Sequence, residues 1–512
     1  MKTICILTFG TSDLQFNKKE LPEGYNIVND KEIKKLEVTS NGLKITVNLE
    51  KNRSFEEWYL LHWCRDQSKI ILDNINVFID VIRFPLTIPL IEIFQSENRH
   101  IDKFILVYTD QTDDSKFKAR DTLFVAEIFK KVLINRFNYR EDDFIGYSIR
   151  EKVTDYDYQF IKIGEDCKKL IPFSINEIGK VYLLPQGGID QINTTLTLQL
   201  LKCYGFKVEI WQKKENDQPK QIRFAELYLR DLTFDHILTL VSKGDYAGGR
   251  LLLKTIDSVN YLNLDSLLKF GDLKINARFE DINSIGRRSF EKELVPEPVK
   301  EAKNEVFWCN DDIKRLFDGD ESDNKKYLYK VSEYFEIASF FNKPESRNRF
   351  VMAFQVFVEA FLNYYLSIKT NCDIVSGTGS FEKDSDKIVA LARKDAKVKE
   401  VLNSEFRVNY NGITILSMPV SLAMALTYSE HNEVIKLLCK TNGKYKECVC
   451  NLDDLRNNLA HRGKGISEDE FKKISALFNE ISKYFTYRSS SSFDDLNDEI
   501  RRTIDGYRKK LK

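Results

Sequence analysis

Five histidines occur in the 512 residues, His62, His100, His236, His431 and His461, so the choice of a reactive imidazole is narrow. His461 stands in NLDDLRNNLAHRGKG, where Asn451 can cap a helix, Asp453 and Asp454 suit its positive end and Gly463 can stop it. Arg456, Asn457 and His461 therefore share one short predicted helix. An imidazole titrates near neutral pH, so it can take a proton from a ribose 2′-hydroxyl or return one to a leaving 5′-oxygen. A guanidinium stays charged and matches the oxygen geometry of a phosphate, which suits a phosphorane-like transition state. The pair can cleave RNA without a metal. Residues five apart on a helix point roughly 140° from each other, so one copy does not aim both groups at one phosphate. Two copies facing each other do, which predicts a two-fold dimer with a composite site and an imidazole for each of the acid and base roles.

The other histidines read as surface, cap or loop residues at 236, 431 and 100, and as a packing residue beside Trp63 at His62. Glu359 lies in the apolar stretch VMAFQVFVEAFLNYYL, where an unpaired carboxylate is costly to bury. Two readings of it stand: it orients Arg456 across a helical core, or it lies at the edge of the apolar face. Cys448 and Cys450 have no second Cys or His pair at a zinc-ligand spacing, so no metal site is expected.

A second constellation lies in the first half of the chain, where three predicted strands each run into small polar residues. The first loop carries Gly10, Thr11, Ser12 and Asp13, the second Thr109, Asp110 and Gln111, and the third Gln186, Gly187, Gly188 and Asn193. In doubly wound sheets, ligands bind beyond the carboxyl ends of the strands, where loops meet helix N-termini. Gly187-Gly188 would let backbone approach a ligand closely, and N–H groups of the next helix would face phosphates. Neither Gly-x-Gly-x-x-Gly nor Gly-x-x-x-x-Gly-Lys-Ser/Thr is present, which argues against dinucleotide cofactors and NTP hydrolysis.

The elements that must position these residues follow from hydrophobic period. ICILTF near the start, FILVYT (104–109), KVYLLP (180–185) and FKVEIW (206–211) are continuous apolar runs of parallel-sheet character, with helical stretches at 121–137 and 190–206 between them. LEVTSNGLKITVNL (36–49) alternates about Asn41-Gly42 and predicts a small inserted hairpin. The α/β rhythm stops at KKENDQPK (213–220), beyond which almost nothing reads as strand. Helices are expected at 236–256, broken near Lys243–Tyr246, and from the linker-like 295–299 and 318–326 onward to 487, with a basic amphipathic tail. The plan is an α/β domain at 1–220, a helical connector at 221–320 and a helical domain at 321–512.

Lys plus Arg and Asp plus Glu both number 78, so no global positive field exists to hold long nucleic acid, and stable DNA binding is not expected. Nine unpaired-looking cysteines fit a reducing compartment, and no stretch reads as a membrane span, so a cytoplasmic protein is expected.

RNNLAHRG resembles the Arg-polar-x-x-x-His signature of HEPN ribonucleases, Asn457 being the polar residue, and the helices around it resemble that family too. The first-strand Gly/Thr/Ser loop and the later Gly-Gly loop resemble a Rossmann-like CARF domain, with Gln186 where Ser or Thr is frequent. The order CARF, all-α connector, all-α HEPN is similar to that of the type III CRISPR ancillary ribonucleases. The resemblance implies sequence-relaxed cutting of single-stranded RNA, leaving a 2′,3′-cyclic or 3′ phosphate and a 5′ hydroxyl. It also implies activation by cyclic tetra- or hexaadenylate bound across a homodimer, with no other cofactor. Thr11 or Ser12 could hold a scissile phosphate for slow cleavage of that activator, although no loop supplies a histidine. Two other readings are a ligand-responsive regulator that holds RNA or a partner without cutting, and a HEPN toxin restrained by a protein antitoxin.

Overall fold

The computed structural model describes the chain except residues 31–32, 41, 52–56, 215–216, 257–260, 279–280, 282–324, 371–384, 407–416, 429–431, 443–444, 449–451, 486–491 and 511–512. Within its elements, the side chains of some positions, among them Arg456, Ala460 and His461, also lie outside the described residues. Contacts divide the chain into two compact units, Met1–Leu232 and Thr233–Lys512.

The first unit opens with β1 (Lys2–Thr8), β2 (Gln15–Asn17), β3 (Tyr25–Asp30), β4 (Ile33–Ser40), β5 (Leu43–Lys51) and β6 (Glu57–Tyr59). It continues through α1 (Cys64–Asp73), α2 (Ile75–Phe78), β7 (Ile82–Arg83), α3 (Ile88–Ser96), β8 (Lys103–Thr109), α4 (Leu123–Phe137) and β9 (Phe144–Ile149). It closes with α5 (Tyr156–Leu170), β10 (Ile178–Leu184), α6 (Asp190–Tyr204), β11 (Val208–Gln212), β12 (Lys220–Ile222) and the start of α7 (Phe224–Ser242). The main sheet has the order β12-β11-β10-β1-β8-β9, parallel except for β12. β1 is apolar from Ile4 to Leu7 because both of its faces are covered there. Cys5 and Leu7 enter one core with α1, α3 and α4, while Ile4 and Ile6 enter the other with α5 and α6. Phe104 and Leu106 against Ile105 and Val107 repeat the alternation on β8.

The expected hairpin at 36–49 is β4 and β5, but it belongs to a six-stranded antiparallel sheet of order β3-β4-β5-β6-β2-β7. Leu36, Val38, Val47 and Leu49 bury one face of it into the same core as Cys5 and Leu7. β2, β6 and β7 are only two or three residues long, too short to show a period. β9 and β12 also escaped the reading of hydrophobic runs.

The second unit takes up the rest of α7 and adds α8 (Tyr246–Leu253), α9 (Leu262–Ile275), α10 (Lys325–Phe341), α11 (Arg347–Thr370), α12 (Ser385–Lys394) and α13 (Ala396–Glu405). It then runs through α14 (Met418–Tyr428), α15 (Glu433–Leu438), β13 (Cys439–Asn442), β14 (Tyr445–Cys448), α16 (Leu452–Arg462), α17 (Glu468–Ser482) and α18 (Phe493–Lys510). The half is largely helical; the β13–β14 hairpin departs from the all-helical expectation. The break expected near 243–246 falls between α7 and α8, where Gly244 has φ +76° and a side chain would strike Ile275 and Phe340. Contrary to the sequence reading, Pro344–Thr370 is long and apolar enough to cross a membrane by length and composition, but 56% of its apolar window is buried. Its Phe350, Phe354 and Phe357 pack against Phe335, Phe478 and Phe485, which gives its apolar face a protein partner.

Among the described residues of this unit, one ion pair is fully buried. Lys274 Nζ on α9 meets Glu333 Oε2 on α10 at 2.6 Å, with both side chains 1% exposed. The same ammonium lies 5.2 Å from the centre of the Phe493 ring, and the Phe493 N–H donates to Glu336 Oε1 at 2.8 Å. Burial pushes both carboxyls above their ordinary range, and Lys274 opposes the shift. Removing one partner leaves a buried charge uncompensated, whereas removing both does not. Lys274→Met is therefore expected to cost about 3–5 kcal/mol in the unfolding transition of the helical unit. The double variant Lys274→Met with Glu333→Leu is expected to recover most of that loss, as followed by urea denaturation.

Candidate functional site

β10, β1 and β8 are adjacent, so the loops that leave their carboxyl ends converge on one edge of the sheet. All the sequence-nominated residues of the first half lie there, but their side chains divide into two groups. One group is committed to holding the loops together. The Thr8 hydroxyl donates to the Gly187 carbonyl at 2.6 Å, and Asn193 Nδ2 donates to the same oxygen at 2.8 Å. Gln186 Nε2 donates to the Lys213 carbonyl at 2.8 Å, bracing the chain beyond β11. Thr109 is buried and exchanges hydrogen bonds with Thr122, whose hydroxyl donates to the Phe9 carbonyl at 3.2 Å. Gln111 is buried and donates to Asp121 through its backbone at 2.6 Å and its side chain at 2.9 Å.

The glycines serve the same close approach. A Cβ at Gly187 would lie 2.1 Å from the Thr8 carbonyl oxygen and 2.2 Å from Asp13 Oδ2; one at Gly10 would lie 2.6 Å from the Gly188 nitrogen. Their smallness lets backbone approach backbone, where the sequence reading had them approach a ligand. Gly188 adopts φ +85°. The second group faces outward: Ser12 and Gly188 are exposed, Gly10, Thr11 and Asp110 half-buried. Among the described residues, the hydroxyls of Thr11 and Ser12 have no hydrogen-bond partner. α6 starts directly beyond this loop at Asp190 and directs the positive end of a 15-residue helix to the same edge.

Sequence reasoning missed Arg65 and Asp121. Arg65 Nη1 donates to Asp110 Oδ1 at 2.9 Å and to Asp121 Oδ2 at 3.1 Å, and its side chain is 20% exposed. Arg150 approaches Asp110 from the end of β9 at 3.6 Å. Arg65 follows the inserted sheet, 45 residues before Asp110, and only the folded contact reveals the pairing.

Asp13 is 1% exposed, and burial raises its carboxyl from 3.8 to about 7 against the opposing bond from the Gly10 N–H. Cys64 lies nearby on α1, and burial with the charges of Asp13 and Asp121 pushes its thiol up.

In the second half, Arg456, Asn457 and His461 lie on α16, as their spacing predicts. Asn457 is exposed. The side chains of Arg456, His461, Asp453 and Asp454 lie outside the described residues, as do Asn451, His431 and Cys450. Gly463 ends the helix with φ +62°, and the Lys464 N–H closes back on the Asn458 carbonyl at 3.1 Å. The Ile466 N–H donates to Asn348 Oδ1 at 3.0 Å, tying the exit of α16 to the start of α11. Glu359 on α11 is half-buried and receives Gln355 Nε2 at 2.9 Å. His62 is 58% exposed and its Nδ1 lies 2.7 Å from Glu50 Oε1, so it is a surface hydrogen-bonding residue and not a buried packing residue. His100 and His236 are exposed. Among the described residues no group of three or more His, Cys, Asp or Glu is placed to hold a metal.

No family model and no curated relative matches this chain. Among solved structures it is similar to Enterococcus italicus Csm6 bound to cyclic hexa-2′-fluoro-hexa-dAMP, with 13% identity, 81% of this chain and 95% of that chain covered, and a TM-score of 0.46. At that identity no residue of Csm6 lends its role to a residue here, and the chemistry must rest on this chain's own side chains.

Asp13 supplies a test of the loop geometry. Its unfolded carboxyl ionises near 3.8 while the folded one keeps its proton to about 7, so wild type loses stability as pH rises through that window. Asp13→Asn carries no such charge. The melting temperature of the variant minus that of wild type is expected to grow between those two pH values and then level off. A difference that stays constant across the window would show that Asp13 ionises normally in the folded chain.

Proposed function

We propose that the chain is a metal-independent endoribonuclease that cuts single-stranded RNA when a cyclic oligoadenylate binds the three-loop edge. The observation that carries the reading is one helix, α16, bearing Arg456, Asn457 and His461 between α11 and α17, in a chain that begins with an α/β sheet whose loops converge on a helix N-terminus. In this reading residues 1–220 sense the nucleotide, 221–320 connect and 321–512 cut. One imidazole takes the 2′-hydroxyl proton, the 2′-oxygen attacks phosphorus, and the second imidazole protonates the leaving 5′-oxygen. Arg456 stabilises the charge on the phosphoryl oxygens. Binding activates only if the ring favours the cutting arrangement over the resting one.

Two imidazoles require two chains, and the first unit offers a surface for the second copy. Tyr156, Phe160 and Ile161 on α5, Leu198 on α6, and Phe224 and Tyr228 on α7 are between 38% and 62% exposed. All three helices also send residues into one core on the same face of the sheet. Exposed apolar groups gathered in this way mark association surfaces.

RNA cleavage measured with rings of three to six adenylates tests the assignment directly. His461→Ala is expected to lose roughly 10²–10⁴-fold of the activated rate, the range of a general acid–base group. Cutting by the variant at the wild-type rate would remove His461 from the reaction. For the association surface, Ile161→Asp with Tyr228→Asp is expected to convert dimer to monomer in analytical ultracentrifugation and to lower cleavage with it. A variant that stays dimeric would place the two-fold elsewhere.

A further inference from the structure

The three-loop edge holds a buried carboxyl that, among the described residues, has no cation beside it. Asp13 is 1% exposed, whereas Asp110 keeps 20% of its side chain in solvent and has Arg65 and Arg150 beside it. Among the described residues no Lys, Arg or His pairs with Asp13. Its Oδ2 receives the Gly10 N–H at 2.7 Å, while its own N–H returns to the Gly10 carbonyl at 3.2 Å, closing a tight turn after β1. Gly187 presses against that same oxygen, so the carboxyl is the point at which the turn after β1 meets the loop after β10. Asp13 Oδ1 is buried with no hydrogen-bond partner, and so is Asn193 Oδ1 on the other flank of Gly187.

A charged carboxylate in this position has one N–H for two oxygens and no counter-ion, an arrangement that strongly disfavours the charge. As the neutral acid, the group keeps the Gly10 bond on Oδ2 and turns its orphan acceptor into a donor. The groups around it do not reverse this preference. Cys64 on α1 carries a thiol that burial keeps protonated, Asn193 on α6 is neutral, and the Asp121 charge is held by Arg65 and the Gln111 amides. The turn that Asp13 closes contains Thr11 and Ser12, whose free hydroxyls face outward, and the loop it touches contains Gly188.

We infer that Asp13 is a positioning residue which, as the neutral acid, locks the loops after β1 and β10 into their phosphate-binding arrangement, so that the anionic ligand binds together with a proton. The inference rests on the reading of this edge as a cyclic oligoadenylate site. Phosphates placed beyond Thr11 and Ser12 repel a carboxylate behind the same turn, and the interior screens that repulsion poorly. The bound state therefore holds the proton to higher pH than the free state. Since the free carboxyl already titrates at about 7, ligand affinity falls as pH rises above that value, by up to about tenfold per pH unit.

The test measures binding of cyclic tetraadenylate and cyclic hexaadenylate to the full chain by calorimetry from pH 6 to pH 9, in buffers of different ionisation enthalpy. Wild type is expected to weaken with rising pH and to take up a proton on binding. Asp13→Asn, which keeps the acceptor for Gly10 and cannot ionise, is expected to bind with no such slope and within a few-fold of wild type at pH 6. Asp13→Ala is expected to bind at least about tenfold more weakly at every pH, as a lost buried hydrogen bond requires. Equal wild-type affinity at both ends of the range, or an Asp13→Asn slope matching wild type, overturns the inference. If neither ring binds wild type at any pH, the ligand reading fails, and hydrogen exchange of residues 9–14 and 186–190 decides the latch separately. Protection lost above pH 7 in wild type and retained in Asp13→Asn supports it; identical protection in the two proteins overturns it.

Discussion

The candidate ligand edge depends on the approach of two pieces of backbone. Gly187 lies so near the Thr8 carbonyl and Asp13 that a methyl group cannot be placed on it. Most of the polar groups around it act to hold that approach. Thr8 and Asn193 both spend a donor on the Gly187 carbonyl, and Thr122 reaches from the loop after β8 to the Phe9 carbonyl. Backbone groups that would otherwise be orphaned at three neighbouring strand ends are thereby satisfied by side chains from the adjacent loops. The result is a rigid rim, with Thr11, Ser12 and Gly188 left on its outer side. A rim built this way can present hydroxyls and helix N–H groups to a ligand without first ordering them, which lowers the entropic cost of binding.

The helical unit solves a different problem by a different route. α11 is apolar enough to need cover along most of its length, and a column of phenylalanines from α10, α11 and α17 supplies it. That packing fixes the helix on which Glu359 and Asn348 lie, and Asn348 in turn fixes the exit of α16. The position of the α16 backbone is thus set from the core outward. The buried Lys274–Glu333 pair joins α9 to α10 within this packing, and either charge left alone there would be uncompensated.

Much of this was legible in the chain before folding. β1, β8, β10 and β11 announce themselves because a strand covered on both faces carries a run of consecutive apolar residues, and the α7–α8 break announces itself through Gly244. The RNNLAH helix was legible because its stop is local. The inserted sheet was not, apart from its hairpin: strands of two or three residues carry no period, and their pairing partners lie up to 68 residues away, as with Gln15 and Arg83. The role of Asp13 was illegible for another reason. A carboxylate in a Gly/Thr/Ser loop at a strand end reads as a ligand group, and only the folded chain shows that it is buried. Arg65 and Asp121 were invisible because neither belongs to a strand-end motif; the fold makes them neighbours.

The charge arrangement at the three-loop edge constrains what can bind there. Arg65 has its guanidinium engaged by Asp110 and Asp121, and Arg150 is the one cation of the described residues near Asp110 with most of its surface in solvent, at 66%. The loop after β8 adds Lys116, Lys118 and Arg120, of which Lys118 is paired with Asp113 and Arg120 is exposed. Beside these cations stand backbone N–H groups, the α6 dipole and neutral hydroxyls, each of which is directional and weak alone. In the proposed reading, such directional donors favour a ligand whose phosphates are spaced to meet several of them together. At Asp13 itself a negative charge is expensive, since among the described residues no cation pairs with it and Oδ1 has no hydrogen-bond partner. The enclosure that buries Asp13 behind the turn, with one N–H for its two oxygens, is therefore what favours the neutral acid there.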